Sequence, residues 1–426
     1  MKASSNGLVR VIGRWTLTAL VINSIIGSGI FGLPATIAGL LGPMSPYAIL
    51  IAAAGIGIIM ACFAEVASQF REAGGPYLYA RVVFGHFVSL QVGWLAWLVR
   101  LASAAANANL FVDYLAEFWP HATDTYFRIA LLTLLIGGLT VINYRGVNAG
   151  ARTSNFFTIA KLLPLTLFII AGFFLLSEHR VITPSVNASG DWPKALLLLM
   201  FAYGGFEAAL MPSGEMKDPR RDAPFALFMA LLTCAVFYTL IQFLVVNLLA
   251  APEATKRPLA EAARVLMGAS GAAFITLGAM ISVYGYLSSA MLNSPRLTFA
   301  MAEAKDFPQF FAAIHPKFRT PHVSIVIFAA LLLVLTLVGN FQWNALLSAV
   351  ARLFTYGAVC GALLKLRWQQ PHAEAFRLPF GPAFAALGML FALYLIFNMG
   401  YGEMLAIIAT TALAFAHWLV TKRNKL

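Results

Sequence analysis

The chain has 426 residues, of which 60% are hydrophobic and only 11% are charged, and its net charge is +12. Soluble domains carry about 25% charged residues, so this composition excludes a soluble protein and indicates an integral membrane protein. The three cysteines lie far apart in apolar runs without a CxxC spacing, which gives no motif for a metal or redox site.

Twelve apolar runs follow one another along the chain, each close to the length of roughly 20 residues that crosses a bilayer as an α-helix. The runs cover 15–40, 45–69, 88–118, 126–143, 153–176, 193–212, 223–250, 270–300, 321–339, 342–366, 376–398 and 402–421. They lack the alternation that is typical of membrane β-barrels. We therefore predict an all-α integral membrane fold in which twelve transmembrane helices form one domain, 1–426.

The positive charges follow a pattern across these helices. With both termini placed in the cytoplasm, twenty of the 29 lysines and arginines fall in cytoplasmic segments and six in outer segments. This bias agrees with the positive-inside rule. The excess charge therefore predicts a multi-pass protein of the inner (cytoplasmic) membrane with both termini inside, and it does not indicate nucleic-acid binding.

Two of the predicted helices contain glycine-rich interruptions. Predicted helix 1 contains the segment 25–34, IIGSGIFGLP, and predicted helix 6 contains the segment 201–207, FAYGGFE. Paired glycines, with a proline further on, favour unwinding of a helix. In a bilayer, unwound backbone is tolerated only where it is buried in protein or lines a cavity.

The two interruptions lie five helices apart, in helices that start from opposite sides of the membrane. This arrangement predicts a first repeat, 15–176, an inverted second repeat, 193–366, and two further helices in 376–421. Interrupted helices at matching positions of inverted repeats indicate a substrate site at the membrane midplane. Alternatively, the glycines serve only to let helices pack closely.

The ends of the half-helices at such interruptions have a defined chemistry. N–H groups at an exposed helix N-terminus attract an anion such as a carboxylate, and free carbonyl groups at a C-terminus attract a cation such as an ammonium. A site that presents both groups suits an amino acid zwitterion. The pattern G-x-G-x-x-G at 27–32 is not interpreted as a dinucleotide site, because it lies in a membrane helix and not after a strand.

Four segments resemble the amino acid–polyamine–organocation (APC) transporter superfamily, and within it the bacterial amino acid permeases. They are IIGSGIF at 25–31, FAEVASQFREAGGPYLYARVVFG at 63–85, FAYGGFEAALMPSGEMKDPRRDAPFA at 201–226 and RLTFAMAEAKDFPQFFAAIHPKFRTPHVSI at 296–325. The resemblance implies a five-plus-five inverted-repeat fold and transport of amino acids or related amines.

The resemblance also implies a set of substrate-binding positions. In this chain they are Ile25, Gly27, Ser28, Gly29, Phe201, Ala202, Tyr203, Gly204, Glu207 and Tyr286. N–H groups around Ser28 and Gly29 would hold the substrate carboxylate. Carbonyl groups of Ile25, Phe201 and Gly204 would hold its ammonium, with the Phe201 ring acting as a gate.

Charged residues within membrane helices are functional candidates, because a charge at mid-membrane is costly. Lys161 resembles the lysine that takes the place of a sodium ion in many relatives, so it and Ser289 are expected to serve coupling. Lys161 either exchanges a proton, bridges helices as a fixed cation, or is a structural tie. Glu207 resembles an acidic position of some exchangers, where it responds to pH, accepts a proton, pairs with a cationic substrate or binds nearby backbone.

Three other charges have less specific interpretations. Glu65 is expected to form a structural salt bridge. Arg100 and Arg352 have no partner that can be read from the sequence, and each either lines the pathway or supports helix packing.

The expected function is secondary active transport of amino acids by alternating access, as a sodium-independent, proton-coupled symporter. An amino acid exchanger and a non-transporting amino acid sensor are the alternatives. The expected partners are an amino acid, protons and the lipid bilayer, while the oligomeric state and the substrate side chain (neutral, aromatic or cationic) stay open. We expect no enzymatic activity, cofactor or metal.

Overall fold

A computed structural model describes residues 12–70, 74–146, 151–175, 189–210, 216–370 and 375–423. These residues are almost entirely helical. The helices are α1 Arg14–Ile25, α2 Ser28–Leu41, α3 Ser45–Gln69, α4 Gly75–Phe84, α5 His86–Leu115, α6 Thr125–Arg145, α7 Ala151–Leu175, α8 Trp192–Tyr203, α9 Phe206–Ala209, α10 Pro219–Leu248, α11 Pro258–Glu303, α12 His322–Val338, α13 Phe341–Gln369, α14 Gly381–Phe397 and α15 Tyr401–Arg423.

Every predicted apolar run overlaps one of these helices or a consecutive pair of them, and residues 176 and 211–212 at the ends of two runs lie outside the described residues. Among the described residues, seven helical segments are long and apolar enough to cross a membrane, and three shorter apolar helices accompany them. The prediction of an all-α, multi-pass membrane protein is therefore confirmed. The count of twelve spans and the inverted repeat stay predictions.

The helices differ in how deeply they are buried in the protein. The most apolar windows of α5 and α13 are 67% and 72% buried, whereas those of α6 and α15 are 17% and 11% buried. The helix pairs α5–α13 and α3–α10 have the most extensive contacts. α5 and α13 therefore form the centre of the bundle, and α6 and α15 present apolar side chains on its outside, as lipid-facing helices do.

Two features were not predicted from the apolar runs. Helix α4 is a short helix that packs on α5 and α13, and its composition is too mixed to register as a span. Helix α11 consists of two helices that meet at Gly268, where φ is +69°. The predicted span 270–300 begins just after this bend, so the segment before Gly268 is a separate short helix.

A partly buried ion pair joins α3 to the end of α13. The Glu65 carboxylate, 1% exposed, accepts hydrogen bonds from Arg367 Nε at 2.7 Å and Arg367 Nη2 at 2.6 Å. It also accepts one from the Leu378 N–H at 2.9 Å. This geometry agrees with the expected structural salt bridge.

Replacing Glu65 with alanine should lower the free energy of unfolding by about 2 kcal/mol, because the buried Leu378 N–H loses its acceptor and the partly exposed Arg367 guanidinium loses its carboxylate partner. Denaturant titration in mixed micelles measures this effect. The matched control is Glu303→Ala, since Glu303 is exposed. A Glu65→Ala protein that is as stable as the control would contradict the structural role of this pair.

Candidate functional site

The first break separates α1 from α2. Helix α1 ends at Ile25, Ile26 is extended, and Gly27 has φ −127° and ψ −144°, which neither helix can accommodate. No side chain caps the N-terminus of α2. Ser28, the first residue of α2, is 1% exposed, and its Oγ has no hydrogen-bond partner among the described residues. The first break therefore presents N–H donors and a hydroxyl that a ligand can bind.

The second break separates α8 from α9. Helix α8 ends at Tyr203, Gly204 is extended, and Gly205 has φ +110° in the left-handed region. Only glycine adopts this conformation readily. A Cβ at Gly205 would also overlap the Ser24 carbonyl of α1. A glycine is therefore required by the backbone at Gly205, whereas at Gly204 the absence of a Cβ leaves room for the Arg352 side chain.

The two breaks lie against each other. α2 packs on α8, and α1 packs on α9. A Cβ placed on Gly29 would lie 2.9 Å from Ala202 Cα, so the backbones are in close contact. Tyr238 of α10 connects both breaks, because its hydroxyl lies 3.2 Å from Ile25 O and 3.0 Å from Ala202 O. Nothing in the sequence distinguishes Tyr238 from other tyrosines in apolar helices.

The aromatic candidates occupy three different places. Phe201 is buried and makes an edge contact with Phe341, with ring centroids 6.2 Å apart. Tyr203 is directed toward α3, where its hydroxyl donates to Ile49 O at 3.3 Å. The ring of Tyr286 reaches the first break, since a Cβ on Gly27 would lie 4.0 Å from Tyr286 Cδ2.

Lys161 joins α7 to the first break. Its Nζ donates to the carbonyl oxygens of Asn23 and Ile26, both at 2.7 Å, and the residue is 6% exposed. The ammonium therefore lies at the carbonyl end of α1, where a cation is favoured. Ser289 is not brought to Lys161 by any described contact: it is exposed, and its Oγ accepts a hydrogen bond from Asn293 Nδ2 at 3.1 Å.

Glu207 is held at the second break by three donors. Arg352 Nε donates to Oε1 at 2.9 Å, and the Tyr356 hydroxyl donates to Oε2 at 3.0 Å. The Gly205 N–H donates to Oε2 at 3.0 Å. Of the alternatives for Glu207, this geometry matches binding of nearby unwound backbone. The ion pair with Arg352 joins residues 145 positions apart, and sequence reasoning could not pair them.

The Arg352 guanidinium lies directly over Gly204, because a Cβ on Gly204 would overlap it. Arg100 of α5 interacts electrostatically with Tyr286, Glu207 and Arg352. Tyr286 in turn interacts with Ser103 and with both arginines. These side chains form a polar cluster that extends from the first break at Gly27 to the second break at Gly204. In the described part of the chain, no three His, Cys, Asp or Glu residues come together as a metal-binding group.

Comparison with known proteins gives consistent matches over most of the chain. A family model described as amino acid permease matches residues 12–420. The chain is 32% identical to a serine/threonine exchanger of Bacillus subtilis over 80% of this chain and 79% of that protein. It is 25% identical to a branched-chain amino acid permease of the same organism, over 98% of this chain and 92% of that protein. A putative arginine/ornithine antiporter of B. subtilis is 25% identical over 74% of each.

Proposed function

Because this chain belongs to the amino acid permease family of the APC superfamily, we propose that it is a secondary active transporter that carries amino acids across the inner membrane by alternating access. In this proposal, both termini are cytoplasmic, and residues 15–176 and 193–366 form the two inverted repeats. The segments α1–α3 and α8–α10 move against the rest of the bundle, by analogy with the fold. The chemistry of the two breaks supports transport of a zwitterion.

The carboxylate of the amino acid binds the N-terminus of α2. This assignment rests on the uncapped N–H groups there and on Ser28 Oγ, which is buried and lacks a partner among the described residues. An anion satisfies these donors and is stabilised by the positive end of the helix dipole. The ammonium binds the carbonyl groups of Ile25 and Phe201 at the carbonyl ends of α1 and α8, and not that of Gly204, because the Arg352 guanidinium lies over Gly204.

We propose that transport is sodium-independent and coupled to protons through Lys161. This proposal rests on the position of Lys161 Nζ, which lies between the carbonyl oxygens of Asn23 and Ile26. A sodium ion would need oxygen ligands of this kind, and here an ammonium already uses them. Loss of a proton from Lys161 removes the positive charge that strengthens both hydrogen bonds, and this weaker attachment lets the first break change its conformation.

An exchange mechanism is the second candidate, because two of the similar proteins are named an exchanger and an antiporter. The same site serves both mechanisms, since exchange needs only that the empty carrier fails to reorient. A sensor that binds amino acids without flux is the third and least supported alternative.

Uptake into proteoliposomes in sodium-free buffer separates these functions. For symport we expect a labelled amino acid, tested singly across all twenty, to accumulate in empty liposomes when the outside is made acidic. Uptake that needs an internal amino acid and ignores the pH gradient would instead support exchange. Thermal stabilisation by an amino acid without any flux would support the sensor, and an absence of both would overturn the proposed function.

A further inference from the structure

The polar cluster at the breaks contains two cations and one anion. Arg100 and Arg352 each carry a positive charge, and both interact with the carboxylate of Glu207. The cluster, made of these three charged residues, therefore has a formal charge of +1. A net charge at this depth is costly unless a counter-charge is supplied.

Glu207 has little capacity left for a ligand. Its two oxygens accept three hydrogen bonds, from the Arg352 side chain, the Tyr356 hydroxyl and the Gly205 N–H. A cationic substrate would have to displace Arg352 from this carboxylate and would add positive charge to a cluster that is already positive. The geometry therefore disfavours a cationic side chain at this place.

Arg352, in contrast to Glu207, has a hydrogen-bonding group that can serve a ligand. It is 4% exposed, and its Nη1 has no hydrogen-bond partner among the described residues. An arginine has five N–H donors in a fixed fork, and a buried guanidinium nitrogen without an acceptor is unfavourable. The guanidinium lies over Gly204, so Nη1 is placed at the second break itself.

We propose that this arginine pair, Arg100 and Arg352, binds a carboxylate in the side chain of the substrate, and that the transporter therefore selects acidic amino acids. The inference rests on the proposed function, because it assumes that a zwitterion occupies the two breaks. The backbone carboxylate binds at Ser28, and the side-chain carboxylate accepts hydrogen bonds from Arg352 Nη1 and neutralises the cluster. Tyr286, which contacts the first break and interacts with both arginines, lies between the two carboxylate positions.

The test compares each acidic amino acid with its amide, which has nearly the same shape without the charge. Thermal stabilisation and proteoliposome uptake are measured with L-glutamate against L-glutamine and L-aspartate against L-asparagine. We expect at least one acid to bind about tenfold or more tightly than its amide, which is the range for a hydrogen-bonded charge pair. Succinate, which lacks the amine, should bind much more weakly than the acidic amino acids.

A double variant then tests whether Arg352 causes the preference for the acidic amino acid over its amide. Single removal of the arginine leaves Glu207 without its cation, so the informative variant is the double replacement Arg352→Gln with Glu207→Gln. In this variant the ratio of acid binding to amide binding should fall close to one, whatever the absolute level of uptake. Lys317→Gln, which removes an exposed loop cation, is the matched control and should keep the preference.

Each possible result of these measurements bears on the proposed selectivity for acidic amino acids. Equal or tighter binding of the amides by the wild-type protein overturns it, even if the double variant fails to fold. A preference for the acids that persists in the double variant also overturns the role of Arg352. Transport of neutral or cationic amino acids alone would reject this inference and leave the proposed function standing, whereas no binding or flux of any amino acid would reject both.

Discussion

Replacing Lys161 with alanine is expected to reduce amino acid uptake about tenfold or more. The substitution leaves the carbonyls of Asn23 and Ile26 without a donor inside the membrane. A buried acceptor without a partner costs roughly 1–3 kcal/mol, and 1.4 kcal/mol corresponds to a factor of about ten. Initial rates in sodium-free proteoliposomes, normalised to the amount of inserted protein, measure the effect. Lys317→Ala, at an exposed loop position, is the control and should transport normally.

The arginine variant separates coupling from a structural tie. Arginine keeps a positive charge and hydrogen-bond donors, but it does not release its proton in proteins. If Lys161 exchanges a proton during transport, Lys161→Arg should still bind amino acids and should fail to accumulate them against a gradient. Full proton-driven accumulation by Lys161→Arg would show that Lys161 is a fixed cation, and normal uptake by Lys161→Ala would refute both roles.

Replacing Gly205 with alanine is expected to have a comparable effect, through the backbone of the second break. The left-handed conformation that Gly205 adopts costs a residue with a Cβ roughly 1–2 kcal/mol of conformational energy. The added methyl group would also overlap the Ser24 carbonyl, which belongs to the backbone of α1 and cannot rotate away. The two breaks must therefore move apart, and uptake should fall about tenfold or more.

The control for this variant is another glycine in a membrane helix. Gly137 lies within α6, where φ is not positive and a Cβ would meet no atom within 4 Å. Gly137→Ala should transport like the wild-type protein. Circular dichroism shows whether each variant keeps its helices. Equal uptake by the Gly205→Ala and Gly137→Ala proteins would contradict the requirement for a glycine at the second break.

The general form of the fold could be predicted because the bilayer imposes it. Each of the twelve apolar runs overlaps a helix in the described part of the chain, and the glycines at 27, 29, 204 and 205 mark both breaks. The backbone conformation at such a position can be predicted from the residue type, since only glycine adopts φ +110° at position 205 without strain. The unwound backbone at the first break is confined to residues 26 and 27, because Pro34 lies inside α2, which continues to Leu41.

The side-chain pairing at the site could not be predicted. Glu207 and Arg352 belong to helices that are far apart in the sequence, and the ion pair depends on how α13 packs against the second break. The role of Tyr238 could not be predicted either. A single tyrosine in an apolar helix does not indicate that its hydroxyl contacts the carbonyl oxygens of Ile25 and Ala202 at the two breaks. The grouping of Ser289 with Lys161 came from the resemblance alone, and the described contacts place Ser289 with Asn293 instead.

In the proposed mechanism, an amino acid and a proton cross the membrane together through this site. Proteoliposomes that contain the wild-type protein and a pH-sensitive dye test it directly, in sodium-free buffer with each amino acid added outside in turn. We predict that addition of the transported amino acid acidifies the lumen and that the Lys161→Ala protein gives no acidification. Entry of labelled amino acid without any change of internal pH would contradict proton-coupled transport.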